Sequence, residues 1–189
     1  VLKQKENGAT IEEAAKWAEE NKLHICHDVT VDDLNHLHRG GRVSKTSAVL
    51  GTMVQIKPII IMDDNGCLKV VGKERGRKKS LNKIVDMAAK QAEGYENEII
   101  MITHGDCPED AEYVAKRVQE KMGIQNIYIN NIGTVIGGHT GPGVVAVFCM
   151  GDKREVKLYG QHRKVLKCQK VKNISGKVKK VVDTTGLMC

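Results

Sequence analysis

A predicted helix lies between two apolar strands in residues 98–129, and this order limits the fold more than any other feature. Residues 98–103 and 126–129 read as strands, and Pro108 opens the helix that runs to Lys121. Strands joined by a helical crossover of this length indicate a sheet that is at least partly parallel. The sequence therefore predicts an α/β domain whose mixed sheet is covered by helices.

Helical and strand periodicities extend on both sides of this unit. Thr10 and Glu13 form a capping box before a helical pattern, and Asn65-Gly66 favours the tight turn of a β-hairpin. The predicted helices span 9–22, about 33–40, 44–55 and 78–93, and the further strands span 23–29, 58–62, 67–71 and 144–150.

Composition favours one compact intracellular domain. The chain has 189 residues, of which 41% are hydrophobic, and no apolar run reaches the length of a membrane span. The first five residues lack the apolar region of a signal peptide, so we expect a soluble, cytoplasmic protein. The six cysteines form no CxxC pair, and His24 with His27 lacks a third ligand, so no metal site is predicted.

Positive charge is concentrated at the end of the chain. The formal net charge is +7, and residues 152–189 hold 11 Lys and Arg against 3 Asp and Glu. We expect residues 1–151 to form the domain and 152–189 to be a basic, poorly ordered tail. An alternative function is therefore nucleic-acid binding through this tail, although 3% aromatic content leaves little for base stacking.

A glycine-dense segment at 133–143 is the strongest candidate for a ligand-contacting loop. Gly137 and Gly138 precede His139 and Thr140, and Gly-Pro-Gly follows them. Without bulky neighbours, backbone N–H groups and the imidazole can converge on an anion or a carbonyl oxygen. A bound carboxylate would favour the protonated imidazole. The alternative is a glycine-rich connection with a solvated histidine.

Two basic segments are further candidates for a contact site. Arg42 follows Gly40-Gly41, and Arg75 and Arg77 lie in the basic cluster at 73–80, at the start of the helix predicted at 78–93. Arginine at a helix end can attract phosphate or an acidic partner. The alternatives are a glycine C-cap with solvated arginines and an ordinary exposed charge run.

A third segment follows a strand directly. His104-Gly105-Asp106 is expected at the carboxyl edge of the sheet, where α/β proteins often place site residues. Asp106 or Asp110 is expected to cap the next helix. An enzyme using His139 and His104 as acid and base is another interpretation, but no nucleophile or phosphate-loop motif accompanies them, so no catalytic residue is predicted.

Five ordered motifs resemble those of the DegV family, over about residues 8–151. They occur in the family's order and together are more specific than any one alone. They are Val31-Asp32-Asp33-Leu34 with Arg39-Gly40-Gly41-Arg42, Ile56-Lys57-Pro58-Ile59, Arg75-Gly76-Arg77-Lys78-Lys79, His104-Gly105-Asp106 with Pro108-Glu109-Asp110-Ala111, and Ile136-Gly137-Gly138-His139-Thr140-Gly141-Pro142-Gly143.

The resemblance implies a bacterial lipid-binding function. It implies the C-terminal lobe of a two-lobed protein that binds a long-chain fatty acid, with the N-terminal lobe absent from this chain. The fatty acid would be presented to a separate ATP-dependent fatty acid kinase subunit for phospholipid synthesis, without a catalytic step or cofactor here. His139 matches the histidine that contacts the carboxylate, and Arg42 with Arg77 or Arg75 matches basic positions at the carboxylate entrance or kinase contact. Residues 44–62 would supply part of the wall around the acyl chain.

Overall fold

Six strands form one mixed sheet in the computed structural model, which describes residues 1–42, 55–152 and 154. Their order is β3-β2-β1-β6-β4-β5; β4 and β5 are parallel, and the other neighbours are antiparallel. The predicted mixed, partly parallel sheet is confirmed. The strands are β1 Ile25–Thr30, β2 Ile56–Met62, β3 Leu68–Arg75, β4 Ile100–His104, β5 Ile127–Asn131 and β6 Val145–Met150.

The helices largely follow the sequence pattern. The predicted capping box is present at the second helix, where Thr10 and Glu13 each accept a hydrogen bond from the other's backbone N–H. The first helix was not predicted, and the predicted helix at 44–55 lies outside the described residues except for Gln55. The described helices are α1 Leu2–Glu6, α2 Ile11–Asn21, α3 Leu34–Arg39, α4 Arg77–Gln91, α5 Pro108–Met122 and α6 Thr134–Thr140, with a 3₁₀ turn at Lys22–His24. None of these helices is long and apolar enough to span a membrane.

The two sheet faces carry separate apolar clusters. Helices α4 and α5 cover the face that includes Ile59, Ile61 and Ile102. Because side chains alternate along a strand, Ile60 points to the opposite face, where it packs with Leu34 and Leu37 of α3. Apolar burial therefore fixes α3 on the face opposite α4 and α5.

The β-hairpin forms as predicted, but an aspartate stabilises its turn. Met62 pairs with Leu68, and Gly66 has φ 74°. Asp63 Oδ1 accepts hydrogen bonds from the backbone N–H of Asn65 at 2.9 Å and of Cys67 at 2.8 Å. The side chain thus satisfies two backbone donors that the turn would leave unpaired.

Arg154, which the sequence assigned to the basic tail, packs into the domain. Its side chain is buried, and its guanidinium donates to the carbonyl oxygens of Ile25 at 3.0 Å, Asp63 at 3.2 Å and Lys22 at 2.6 Å. Gln91 Nε2 donates to the Arg154 carbonyl at 3.1 Å. The packed chain therefore extends beyond the predicted boundary at 151, while residues 155–189 lie outside the described part.

Arg154→Met should lower the free energy of unfolding by about 3 kcal/mol, because it removes charge-assisted hydrogen bonds to three carbonyl oxygens. Urea titration of the full chain measures this loss, and Lys116→Met, at an exposed position of α5, is the control. Equal stabilities of the two variants would contradict a structural role for Arg154.

Candidate ligand site at the carboxyl edge of the sheet

The five sequence motifs converge at one edge of the sheet. Strands β1, β3, β4 and β5 end at this edge, and β2 and β6 begin there, as their pairing directions require. His104-Gly105-Asp106 follows β4 directly, so its predicted position at the carboxyl edge is confirmed. Chain segments far apart in sequence thereby meet in one region.

Within the segment predicted as a ligand-contacting loop, Thr134–Thr140 form a short helix, α6, so the predicted loop conformation is wrong there. Glycine costs about 1 kcal/mol in a helix relative to alanine. Packing of α6 against α3 offsets this cost. Gly137 also lies close to Ile132, since an added Cβ would be 3.3 Å from Ile132 Cγ2. Gly138 is exposed, whereas Thr140 is buried and its hydroxyl donates to the Ile136 carbonyl at 2.9 Å.

The C-terminal ends of α3 and α6 pack closely at three glycines that follow these helices. A Cβ added to Gly40 would lie 2.5 Å from His139 Nδ1, and one added to Gly141 would lie 2.6 Å from the His36 ring. A Cβ at Gly143 would lie 2.7 Å from Asp32 Cβ. The two strongest sequence motifs are therefore in direct contact.

His139 is partly exposed at this junction. Burial, and then the positive charge of Arg42, lower its pKa from the ordinary 6.5. The imidazole has no hydrogen-bond partner among the described residues. It is therefore mainly neutral at pH 7 and able to donate to an anionic oxygen.

Arg42 follows a C-terminal cap on α3. Gly41 has φ 71°, its N–H donates to the His38 carbonyl at 3.0 Å, and the Arg42 N–H donates to the Leu37 carbonyl at 2.9 Å. These bonds confirm the glycine C-cap. The Arg42 side chain is exposed, and Nη1 donates to the Gly40 carbonyl at 3.0 Å.

Arg77 is held by two carboxylates. Its Nε donates to Asp110 Oδ2 at 2.7 Å, and its Nη1 lies 3.8 Å from Asp32 Oδ1. Lys57 Nζ also contacts Asp32 Oδ1, at 2.8 Å. This network could not be predicted from local sequence patterns, because its members are far apart along the chain. Arg75, at the end of β3, is exposed.

The predicted aspartate cap of α5 is wrong. Its N-cap is Cys107, without a side-chain cap bond, because Asp110 pairs with Arg77 instead and Asp106 has φ 52°.

His104 does not converge with His139. Its side chain is buried on the face covered by α4 and α5, and Nδ1 accepts the Cys107 N–H at 3.3 Å. His139 lies on the α3 side, so an acid–base pair of these histidines gains no support. Among the described residues, no group of three His, Cys, Asp or Glu side chains could hold a metal ion.

A family model described as "Uncharacterised protein, DegV family" matches residues 1–152. This chain belongs to the DegV family. A DegV domain-containing protein of Clostridium perfringens is 45% identical over 151 residues, which are 80% of this chain and 52% of the relative. The chain thus spans about half the length of the curated DegV relatives that it matches.

Solved DegV structures share the fold. A fatty acid binding DegV family protein of Streptococcus agalactiae is 27% identical, with a TM-score of 0.69 over 80% of this chain and 53% of that protein. The fatty acid kinase B3 protein of Streptococcus pneumoniae, loaded with linoleic acid, has a TM-score of 0.70 over 79% of this chain and 53% of that protein. Its 19% identity supports similarity of fold alone.

Proposed function

We propose that this chain provides the carboxylate-binding half of a cytoplasmic fatty-acid carrier. The observation that carries the proposal is the partly exposed, mainly neutral His139 at the α3–α6 junction, with Arg42 close enough to lower its pKa. A long-chain fatty acid requires a hydrogen-bond donor and positive charge for its carboxylate. His139 and Arg42 supply both.

The backbone of Gly137 and Gly138 completes the proposed contact surface for the fatty-acid carboxylate. Gly138 is exposed, so a ligand can approach the main chain closely there. The Thr140 hydroxyl already donates within α6, so it remains available to a ligand only as an acceptor. This favours His139 over Thr140 as the donor to a carboxylate.

The acyl chain requires an apolar surface next to the polar site. Each buried methylene contributes about 0.8 kcal/mol, which makes burial of the chain the main source of affinity. The cluster under α3, with Val31, Leu37 and Val144, lies on the same side of the sheet as α6. We place the acyl chain toward this cluster and assign its remaining wall to the other half of the family's length.

The second part of the proposal concerns a separate ATP-dependent kinase subunit. Arg42 and Arg75 are exposed, as are Lys78 and Lys79, at the sheet edge that carries His139. Such a positive rim would steer the acidic phosphates of an ATP-bearing partner. Arg77 would support this rim through Asp110 and Asp32. The carrier itself performs no catalytic step in this proposal and needs no cofactor besides its bound fatty acid.

A fusion protein tests lipid binding. The N-terminal half of the Clostridium perfringens relative would precede this chain, and the purified protein would be extracted and analysed by mass spectrometry. We expect about one fatty acid per fusion protein and at least a tenfold weaker affinity in its His139→Ala variant, because a charge-assisted hydrogen bond is lost. The Lys116→Met variant is the control. A fusion protein that is folded but free of lipid after incubation with oleic acid would contradict the proposal.

A further inference from the structure

Gly40 does not need to be glycine for its own backbone conformation. It ends α3 with φ −73° and ψ −1°, which are right-handed values that any L-residue adopts. The next residue differs, since Gly41 has φ 71° and open space around its Cα. At Gly41 a side chain would be strained by the positive φ. At Gly40 a side chain would instead clash with a neighbouring group.

The neighbour that excludes a side chain at Gly40 is the His139 ring. An added Cβ would lie 2.5 Å from Nδ1 and 3.3 Å from Cγ of His139. Carbon atoms do not approach a ring this closely, so the imidazole would have to rotate. Nδ1 is thus the ring nitrogen that lies next to Gly40, and Nε2 is the ring nitrogen farther from it.

A second contact holds the two helices in register. The His36 ring occupies the space where a Gly141 side chain would lie, and its Nδ1 is 3.1 Å from Arg39 Nη2. Each helix therefore seats one histidine against a glycine of the other segment. Rotation of α6 relative to α3 would disturb both contacts.

We propose that Gly40 is a positioning residue, whose missing side chain seats the His139 imidazole so that Nε2 faces the carboxylate site. The assignment of a carboxylate to Nε2 rests on the proposed function, but the seating of the ring does not. Gly40→Ala should turn the ring without removing any group that contacts the ligand.

NMR of the full chain tests the seating of the ring without lipid. In the wild type we expect nuclear Overhauser effects between His139 ring protons and Gly40 Hα, and Gly40→Ala should change the pattern of these effects and shift the ring's resonances. Gly133→Ala is the matched control, because Gly133 has φ −58° and no atom within 4 Å of an added Cβ. Unchanged His139 signals in Gly40→Ala would overturn the proposal.

A double-mutant cycle in the fusion protein tests whether Gly40 acts through His139. Gly40→Ala should weaken fatty-acid binding about tenfold when His139 is present and have little effect in a His139→Ala background. An equal loss in both backgrounds would overturn the proposal, because Gly40 would then act independently of the imidazole. Absence of lipid from the wild-type fusion protein, with the NMR difference present, would contradict the proposed function while the seating of the ring stands.

Discussion

Asp28→Asn is expected to make the full chain more stable at pH 7. Asp28 lies in β1 and is fully buried, and neither carboxyl oxygen has a hydrogen-bond partner among the described residues. Burial raises the pKa of this carboxyl well above 3.8, and Cys26 raises it further, whereas the neighbouring Gln91 side chain lowers it. The native state therefore favours the protonated acid.

The direction of the pH dependence follows from this shift. The native state binds the Asp28 proton more tightly than the unfolded chain does, so its stabilising effect is complete below pH 3.8 and is lost as pH rises through the native-state pKa. The loss is about 1.4 kcal/mol for each pH unit in that window. Asparagine has nearly the same shape and does not titrate, so the variant should become the more stable protein as pH rises through the native-state pKa of Asp28.

Urea titrations of both proteins at several values from pH 5 to pH 8 measure the difference. His27 also titrates, because burial and the charge of Arg154 lower its pKa to about 4. This histidine is present in both proteins, so the difference between their curves isolates Asp28. Asp64→Asn, at an exposed hairpin position, is the control. A difference that does not grow with pH would contradict a protonated Asp28.

Local patterns predicted most of the sheet and its covering helices. A helix between the strands at 98–103 and 126–129 predicted an at least partly parallel sheet, and Asn65-Gly66 favoured a tight hairpin turn; both features are confirmed. The pattern failed at α6, where glycine content indicated a loop. Helix formation there depends on contact with α3, about a hundred residues earlier in the chain, and local propensity does not include that contact.

The site was predicted in its parts but not in its arrangement. The sequence singled out Arg42 and His139, whose proximity lowers the His139 pKa. It gave no indication that Gly40 lies against the His139 ring or that Asp32 links Lys57 with Arg77. Arg154 was missed because its lysine-rich neighbours indicate solvent exposure. Its burial depends on hydrogen bonds to carbonyl groups far away in the sequence.

Fatty-acid affinity of the fusion protein is expected to rise as pH falls from 8 toward 6. Burial and Arg42 lower the pKa of His139 in the ligand-free protein, and a bound carboxylate would raise it. Binding then takes up a proton wherever pH lies between the ligand-free and ligand-bound pKa values. Affinity increases by up to about tenfold for each unit by which pH falls through this window.

His139→Gln separates hydrogen bonding from titration. Glutamine retains an N–H donor but no ionisable group, so fatty-acid affinity should become nearly independent of pH while part of it is kept. Fluorescence competition with a bound fatty-acid analogue, repeated at each pH, measures this. An unchanged pH dependence in His139→Gln would assign the titration to another group.

Arg42→Gln tests the origin of the His139 shift. Without the guanidinium charge, the pKa of His139 should rise in the ligand-free protein, so the lower bound of the proton-uptake window moves to higher pH. Overall affinity should fall as well, because a positive charge near the carboxylate is lost. The two effects are distinguishable. A change in the His139 pKa alters the shape of the plot of affinity against pH, whereas loss of a carboxylate contact lowers affinity equally at every pH. A lower affinity with an unchanged curve shape would leave Arg42 as a contact for the carboxylate only, with burial alone responsible for the neutral imidazole.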